Sequence, residues 1–281
     1  MSRYSFSGHE SFTCKSLWLK KGYDYLLAGL RFTDENAVVE LGVGKNMVAS
    51  IRYWLRAFGL THDDRLQPIA RYIFDTEAGC DPFAEDETTL WVLHFLLVWQ
   101  GTASIYSLLF EHMQRERRQF TKTDLENFIR RKCSVPEQKN VFNLNTVRKD
   151  MGVLLRNYVA PGDLKSIEDF SSLLIGLNLI VHQGGERYAF RSVRQTELRK
   201  EVVLFAMLRM KGDDNTLSLD HLQRLALIFC LPLTELIETV RLLAEAYPDL
   251  LVYSDNSGIK NVQFLQNRPS IEALDYYYRM L

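Results

Sequence analysis

Residues 41–47 read LGVGKNM, two glycines and a lysine in the arrangement that comes nearest in this chain to a phosphate cradle. A phosphate loop of the form G-x-x-x-x-G-K-[ST] wraps phosphates in backbone N–H groups and offers Mg2+ a hydroxyl. With Gly44 and Lys45 as the closing pair, the first glycine falls at Val39 and the hydroxyl at Asn46. The dinucleotide form, G-x-G-x-x-G, meets Met47 where its third glycine belongs. Neither cradle is complete, so calorimetric titration with ATP or GTP is expected to show no specific binding. Micromolar affinity abolished by Lys45→Ala would overturn that.

The same residues make better sense as the start of a helix. Met47, Ile51, Trp54 and Phe58 recur at steps of four, three and four, one face of a helix over 45–58. Lys45, Ala49, Arg52, Tyr53 and Arg56 share the opposite side, with three basic residues and no acid. Gly59 stands where a left-handed cap closes a helix. The preceding ENAVVEL is short and apolar, helix or strand by pattern alone. A short helix, a glycine turn and a basic helix form a helix-turn-helix, whose second helix enters the major groove of double-stranded DNA. Lys45 and Asn46 would then point at DNA. An ordinary helix pair with a solvated basic face has the same pattern.

Charge is unevenly spread. Residues 112–160 hold eleven Lys/Arg against five Asp/Glu, whereas residues 61–111 hold two against nine and residues 213–281 five against ten. Near-zero net charge therefore hides basic surfaces able to neutralise phosphates. Two helices, 121–132 and 143–159, are predicted in the basic stretch, the first with a Thr-x-x-Asp or Thr-x-x-Glu cap and the second capped at Asn145 or Thr146. Their outer surface gathers Arg130, Arg131, Lys132, Arg148, Lys149 and Arg156, with Val147, Met151, Leu154 and Leu155 inside. The acidic stretch 75–89 reads as a loop, in which Asp75, Asp81 and Glu85 are the acids a metal would find. LWVLHFLLVWQ after it reads as a buried helix too short to span a bilayer, with His94 a hydrogen-bonded core residue.

Later segments repeat a plan. Residues 169–191 suggest a helix ending near Gly176 and a hairpin around Gly184–Gly185, and residues 234–265 again a helix and hairpin, preceded by one more helix. The order over 213–265 is that of a winged helix. The expected fold is mainly α with small β-hairpins, built of helix-turn-helix and winged-helix-like modules. Its expected divisions are 1–111, 112–200 and 201–281. Cysteines 14, 80, 133 and 230 show neither metal nor disulfide spacing and read as reduced thiols of a cytoplasmic protein, with no membrane segment.

FSGHESF, WLKKG and AVVELGVGKNMVASIRYWLRAFGL together resemble a bacterial family long catalogued as a domain of unknown function and found beside genes for DNA phosphorothioate modification. The likeness is dense over residues 4–60, with Thr13 a departure where the family favours proline. It implies a DNA-directed protein that nicks one strand, working with a cysteine desulfurase, an ATP-pyrophosphatase-like sulfur transferase and an ATPase. Phosphodiester hydrolysis of that kind commonly uses Mg2+. The nearest catalytic candidates are His9 and Glu10 of GHESF. The structural alternative for that pair is a capping box, Ser7 to Glu10, of a helix closed by Lys20, Lys21 and Gly22. A non-catalytic DNA-binding adaptor for the sulfur-transfer enzymes, or a helical subunit that meets acidic proteins, fits the same features.

Overall fold

The computed structural model describes residues 3–138, 140–161, 171–256 and 259–280. It is mainly helical, with one two-stranded and two three-stranded antiparallel sheets among the described residues. The chain divides into two compact units, Met1–Arg191 and Ser192–Leu281.

In the first unit, α1 (Trp18–Leu27) packs on α3 (Lys45–Ala57), and α2 (Ala37–Leu41) leads into α3. Gly42 takes φ +60° to end α2, and Gly44, extended at φ −67° and ψ 158°, opens α3. The glycines of LGVGKNM thus serve a tight helix–helix turn. ENAVVEL resolves as helix. At the other end, Leu60 N–H donates to Leu55 O and Gly59 N–H to Arg56 O, with Gly59 at φ +66°. These two bonds satisfy carbonyls that a helix end leaves orphaned. Gly22 lets α1 approach closely, since a Cβ there would lie 2.7 Å from both Ile51 and Leu55.

A hairpin follows, β1 (Thr61–His62) and β2 (Arg65–Leu66), turned by Asp63 and Asp64 at φ +48° and +59°. Then come α4 (Pro68–Phe74) and α5 (Glu87–Gln100), the latter buried on nearly every side. His94 of α5 is fully buried and its Nδ1 lies 2.7 Å from the Tyr158 hydroxyl, a satisfied core histidine. Among the described residues no single helix is long and apolar enough to cross a membrane. α6 (Ser104–Ser107) runs through a π-helical stretch, Leu108–Met113, into α7 (Gln114–Glu116). After β3 (Gln119–Thr121), α8 (Lys122–Lys132) starts on the expected box, Asp124 N–H donating to Thr121 Oγ1 and Thr121 N–H to Asp124 Oδ2. α9 (Leu144–Tyr158) is capped by Asn143, earlier than expected, because its Oδ1 accepts from Thr146 N–H. The hairpin of β4 (Ile180–His182) and β5 (Arg187–Phe190) completes a sheet ordered β3-β5-β4.

The second unit repeats that order. α10 (Lys200–Lys211), β6 (Thr216–Ser218), α11 (Leu219–Ile228), α12 (Leu233–Ala246), β7 (Leu251–Asn256) and β8 (Ile259–Phe264) form a sheet ordered β6-β8-β7, followed by α13 (Glu272–Tyr278) against α10. The repeat is longer than the hairpins and the helices before them suggest, since each copy also contains a three-residue strand paired to the last strand of its sheet. The helix expected to end near Gly176 is reduced, among described residues, to the single turn Ile175–Leu177; residues 169 and 170 lie outside them.

Candidate nucleic-acid interface

The GHESF segment is not a helix start. Ser7, Gly8, Glu10 and Ser11 all have positive φ, and the first helix begins only at Trp18, so no Ser7–Glu10 capping box forms. Lys20, Lys21 and Gly22 open α1 instead of closing a helix. The segment is held by side chains of α3 and α9. Asp150 of α9, 3 % exposed, accepts from Ser7 N–H at 2.9 and 3.1 Å and lies 2.9 Å from His9 Nε2. Ser11 N–H donates to His9 Nδ1 at 3.1 Å, so the imidazole proton sits on Nε2 and donates to Asp150. Trp54 stacks on the ring and Tyr53 meets it edge-on. Ser50 Oγ donates to His9 O and Asn157 Oδ1 accepts from Cys14 N–H.

Both ring nitrogens of His9 are therefore engaged inside the fold. Its geometry is that of a residue fixing a strained turn, and Glu10, exposed at φ +48°, is the member of the pair presented to solvent. Asp150, which holds the segment, carries no motif that would mark it in the sequence and stands 141 residues from His9.

The outer side of α3 lines a cleft of about 820 Å³. Lys45, Ala49, Arg52 and Arg56 stand along it as expected, while Asn46 is exposed outside its lining. Tyr53 also lines the cleft but departs from expectation in its burial. It is only 5 % exposed, packed against Gly8 and His9, and burial together with the nearby Asp150 charge pushes its phenol well above the ordinary range. The helical spacing puts Tyr53 on the side opposite Met47, Ile51, Trp54 and Phe58, but the N-terminal segment covers that flank. Acids also enter the cleft: Asp34, Glu35, Asp63 and Asp64 line it. Arg52 forms a two-point pair with Asp64, Nη2–Oδ2 2.7 Å and Nε–Oδ1 2.9 Å. The hairpin that follows α3 folds Asp63 and Asp64 back on the helix's basic side.

The second basic surface is likewise threaded with acids. Arg130 and Arg148 share Glu126 at 3.1 and 2.8 Å, and Arg131 reaches Glu116. The hydrogen bond from Arg148 leads in holding the Glu126 carboxyl below its ordinary range. Lys132 lies over the Phe128 ring, and Lys149 is exposed. Exposed pairs of this kind are worth about 0–1 kcal/mol, so a phosphate can exchange with them at small cost.

Among the described residues no three His, Cys, Asp or Glu side chains converge as a metal cage. The loop acids are occupied by backbone: Asp75 accepts from Glu77 and Ala78 N–H, and Asp81 from Glu85 and Asp86 N–H. The Asp75 carboxyl is held low by these bonds, that of Ala78 first. The described residues do not build a dedicated magnesium site.

A helical chain with a latched N-terminal signature, a glycine-turned basic helix and two copies of one helix–sheet plan belongs to a definite class. The chain is a member of the family described as protein of unknown function (DUF4007), whose model matches residues 6–278. The likeness read from residues 4–60 thus extends along the chain. A crystal structure of SspB superimposes with a TM-score of 0.83 at 27% identity, covering 98% of this chain and 88% of that one. A magnesium ion-bound crystal structure of SspB gives 0.81 at 24% identity with the same coverage. No curated protein matches the chain.

Proposed function

We propose that this protein binds double-stranded DNA in the cytoplasm and nicks one strand, as part of phosphorothioate modification and antiphage defence. The observation that carries the reading is the correspondence to SspB over 98% of the chain. In this reading the two helix–strand–helix–helix–hairpin units are winged helices. The first meets DNA through the Arg130, Arg131, Lys132, Arg148 and Lys149 surface, alongside the Lys45–Arg56 face of α3. The second is acidic over 213–281, with Arg241 within ion-pair reach of Glu238 and Asp255, and suits protein partners. The sulfur transferase, ATPase and cysteine desulfurase of such systems are the partners proposed.

Mg2+ usually keeps several waters and needs only one or two carboxylates when substrate phosphate supplies further oxygens. The proposal therefore asks no preformed cage of this chain, only an exposed acid beside the bound strand, and Glu10 is the candidate. His9 positions it. Glu10→Gln is expected to abolish nicking with DNA affinity and melting temperature unchanged, whereas His9→Ala should lose nicking together with stability. Glu10→Gln with full nicking would remove Glu10 from the mechanism.

The direct experiment is supercoiled plasmid with Mg2+, with and without chelator. Open circles that vanish with chelator support the nickase. Unchanged plasmid with a clear DNA complex supports the second reading, a non-catalytic adaptor, which the engagement of both His9 nitrogens favours.

The Arg52–Asp64 pair gives a sharper test of the α3 face. If Arg52 exchanges Asp64 for a phosphate, Arg52→Ala should weaken binding to all sequences alike and Asp64→Asn should strengthen it. Removing one cation from a phosphate should lower the salt slope by about 0.9. Arg56→Ala should behave like Arg52→Ala, and Asn46→Ala should relax sequence preference by about 1–3 kcal/mol where it reads an adenine. Binding that survives all of these at physiological salt would move the interface to α8 and α9.

A further inference from the structure

A second cleft in the first unit, about 850 Å³, lies where the N-terminal segment, the C-terminal half of α9, the start of α8 and the β4–β5 hairpin meet. Lys15, Lys122 and Arg156 line it, and no Asp or Glu does among the described residues. In charge it is the opposite of the α3 cleft, where four carboxylates face three cationic side chains. Lys122 is exposed and has no ion-pair partner among the described residues, while Arg156 spends one N–H on Ser11 O at 2.9 Å. Aromatic faces accompany the cations. Phe12, Tyr188 and His182 line the same cleft, and the His182 and Tyr188 rings stand 5.2 Å apart.

The floor contains a glycine that packing does not explain. Gly152 lies inside α9, where glycine costs about 1 kcal/mol relative to alanine. Gly22 in α1 is required by Ile51 and Leu55, but a Cβ on Gly152 would meet nothing nearer than Arg156 Nη1 at 3.8 Å. Space is kept open there, facing the cleft, as a closely approaching ligand requires.

We infer that this cleft seats a single strand of DNA, phosphates on Lys15, Lys122 and Arg156 and a base against Phe12, Tyr188 or His182. Cations lining a groove with aromatic faces beside them bind unpaired strands through both charge and stacking. A volume in the range of small-molecule pockets admits about one or two nucleotides and excludes a duplex. The inference rests on the DNA-directed reading and adds to it an unpaired segment of the substrate, held apart from the α3 face.

Fluorescence anisotropy of the full chain with a short labelled oligothymidine and, separately, with a duplex tests it. Gly152→Leu fills the cleft beside Arg156 without removing a charge and should weaken oligothymidine binding about tenfold or more. Duplex affinity should change by less than about twofold. Lys122→Glu should weaken the single strand and flatten its salt slope, by about 0.7 for each phosphate no longer neutralised. His182→Ala, an exposed change, should weaken it without altering that slope. Melting curves identify any variant that fails to fold. Oligothymidine affinity unchanged in Gly152→Leu and Lys122→Glu overturns the inference. Duplex binding without oligothymidine binding overturns it while leaving the DNA reading intact, and binding of neither removes both.

Discussion

Asp150→Ala is expected to destabilise the first unit by roughly 2–6 kcal/mol, about 1–3 kcal/mol for each of the two donors it leaves unpaired. The carboxylate accepts from Ser7 N–H and His9 Nε2–H where water does not reach, and alanine would strand both donors. The loss spreads, because the same segment supplies the carbonyls that Ser50 Oγ, Trp54 Nε1 and Arg156 bind. Asp150→Asn keeps one acceptor oxygen and should cost less. Urea denaturation of the full chain, followed by tryptophan fluorescence because Trp54 stacks on His9, reads both variants. A double-mutant cycle with His9→Ala should show coupling above about 0.5 kcal/mol. Asp150→Ala within about 1 kcal/mol of the native chain would mean that the segment is held elsewhere.

What the sequence made legible is what neighbours along the chain decide. The glycine turn before α3, the cap at Gly59, the box at Thr121–Asp124, the buried α5 and the turn at Gly184–Gly185 depend on residues within one or two turns of each other. What remained hidden is set by the fold. A wheel reports which side of α3 a residue occupies, not what lies over it, so Tyr53 read as outward until Gly8 and His9 were placed on it. The same wheel could not show Asp64 returning to Arg52 through a two-residue turn. β3 and β6, three residues each, are too short to show alternation, which is why the repeat appeared as two hairpins and their neighbouring helices.

Charge followed the same division. The excess of bases over 112–160 is real in sequence, yet Glu116 and Glu126 sit among the arginines of α8 and α9. Asp75 and Asp81 of the 75–89 stretch are drawn into backbone turns. Counting charges by segment located basic helices but not the cleft that, among the described residues, no Asp or Glu lines, and whose cations come from three separate stretches.

Gly8→Ala is expected to be nearly as damaging as loss of Asp150, for a different reason. Gly8 has φ +107°, outside the range that residues with a Cβ adopt freely, at a strain of about 1–2 kcal/mol. A Cβ there would also lie 2.5 Å from Tyr53 Cδ2 and 2.7 Å from Cε2, so the ring or the backbone must move. Overpacking of this kind adds about 1–3 kcal/mol where the Tyr53 ring, in edge contact with His9 and Trp54, does not yield. The two contributions are separable. Tyr53→Ala removes the obstacle but not the dihedral strain, so the double variant should be less destabilised than the sum of the singles by the overpacking share. Additivity within about 0.3–0.5 kcal/mol would show that the ring moves aside freely, leaving strain alone as the reason glycine precedes histidine in this signature.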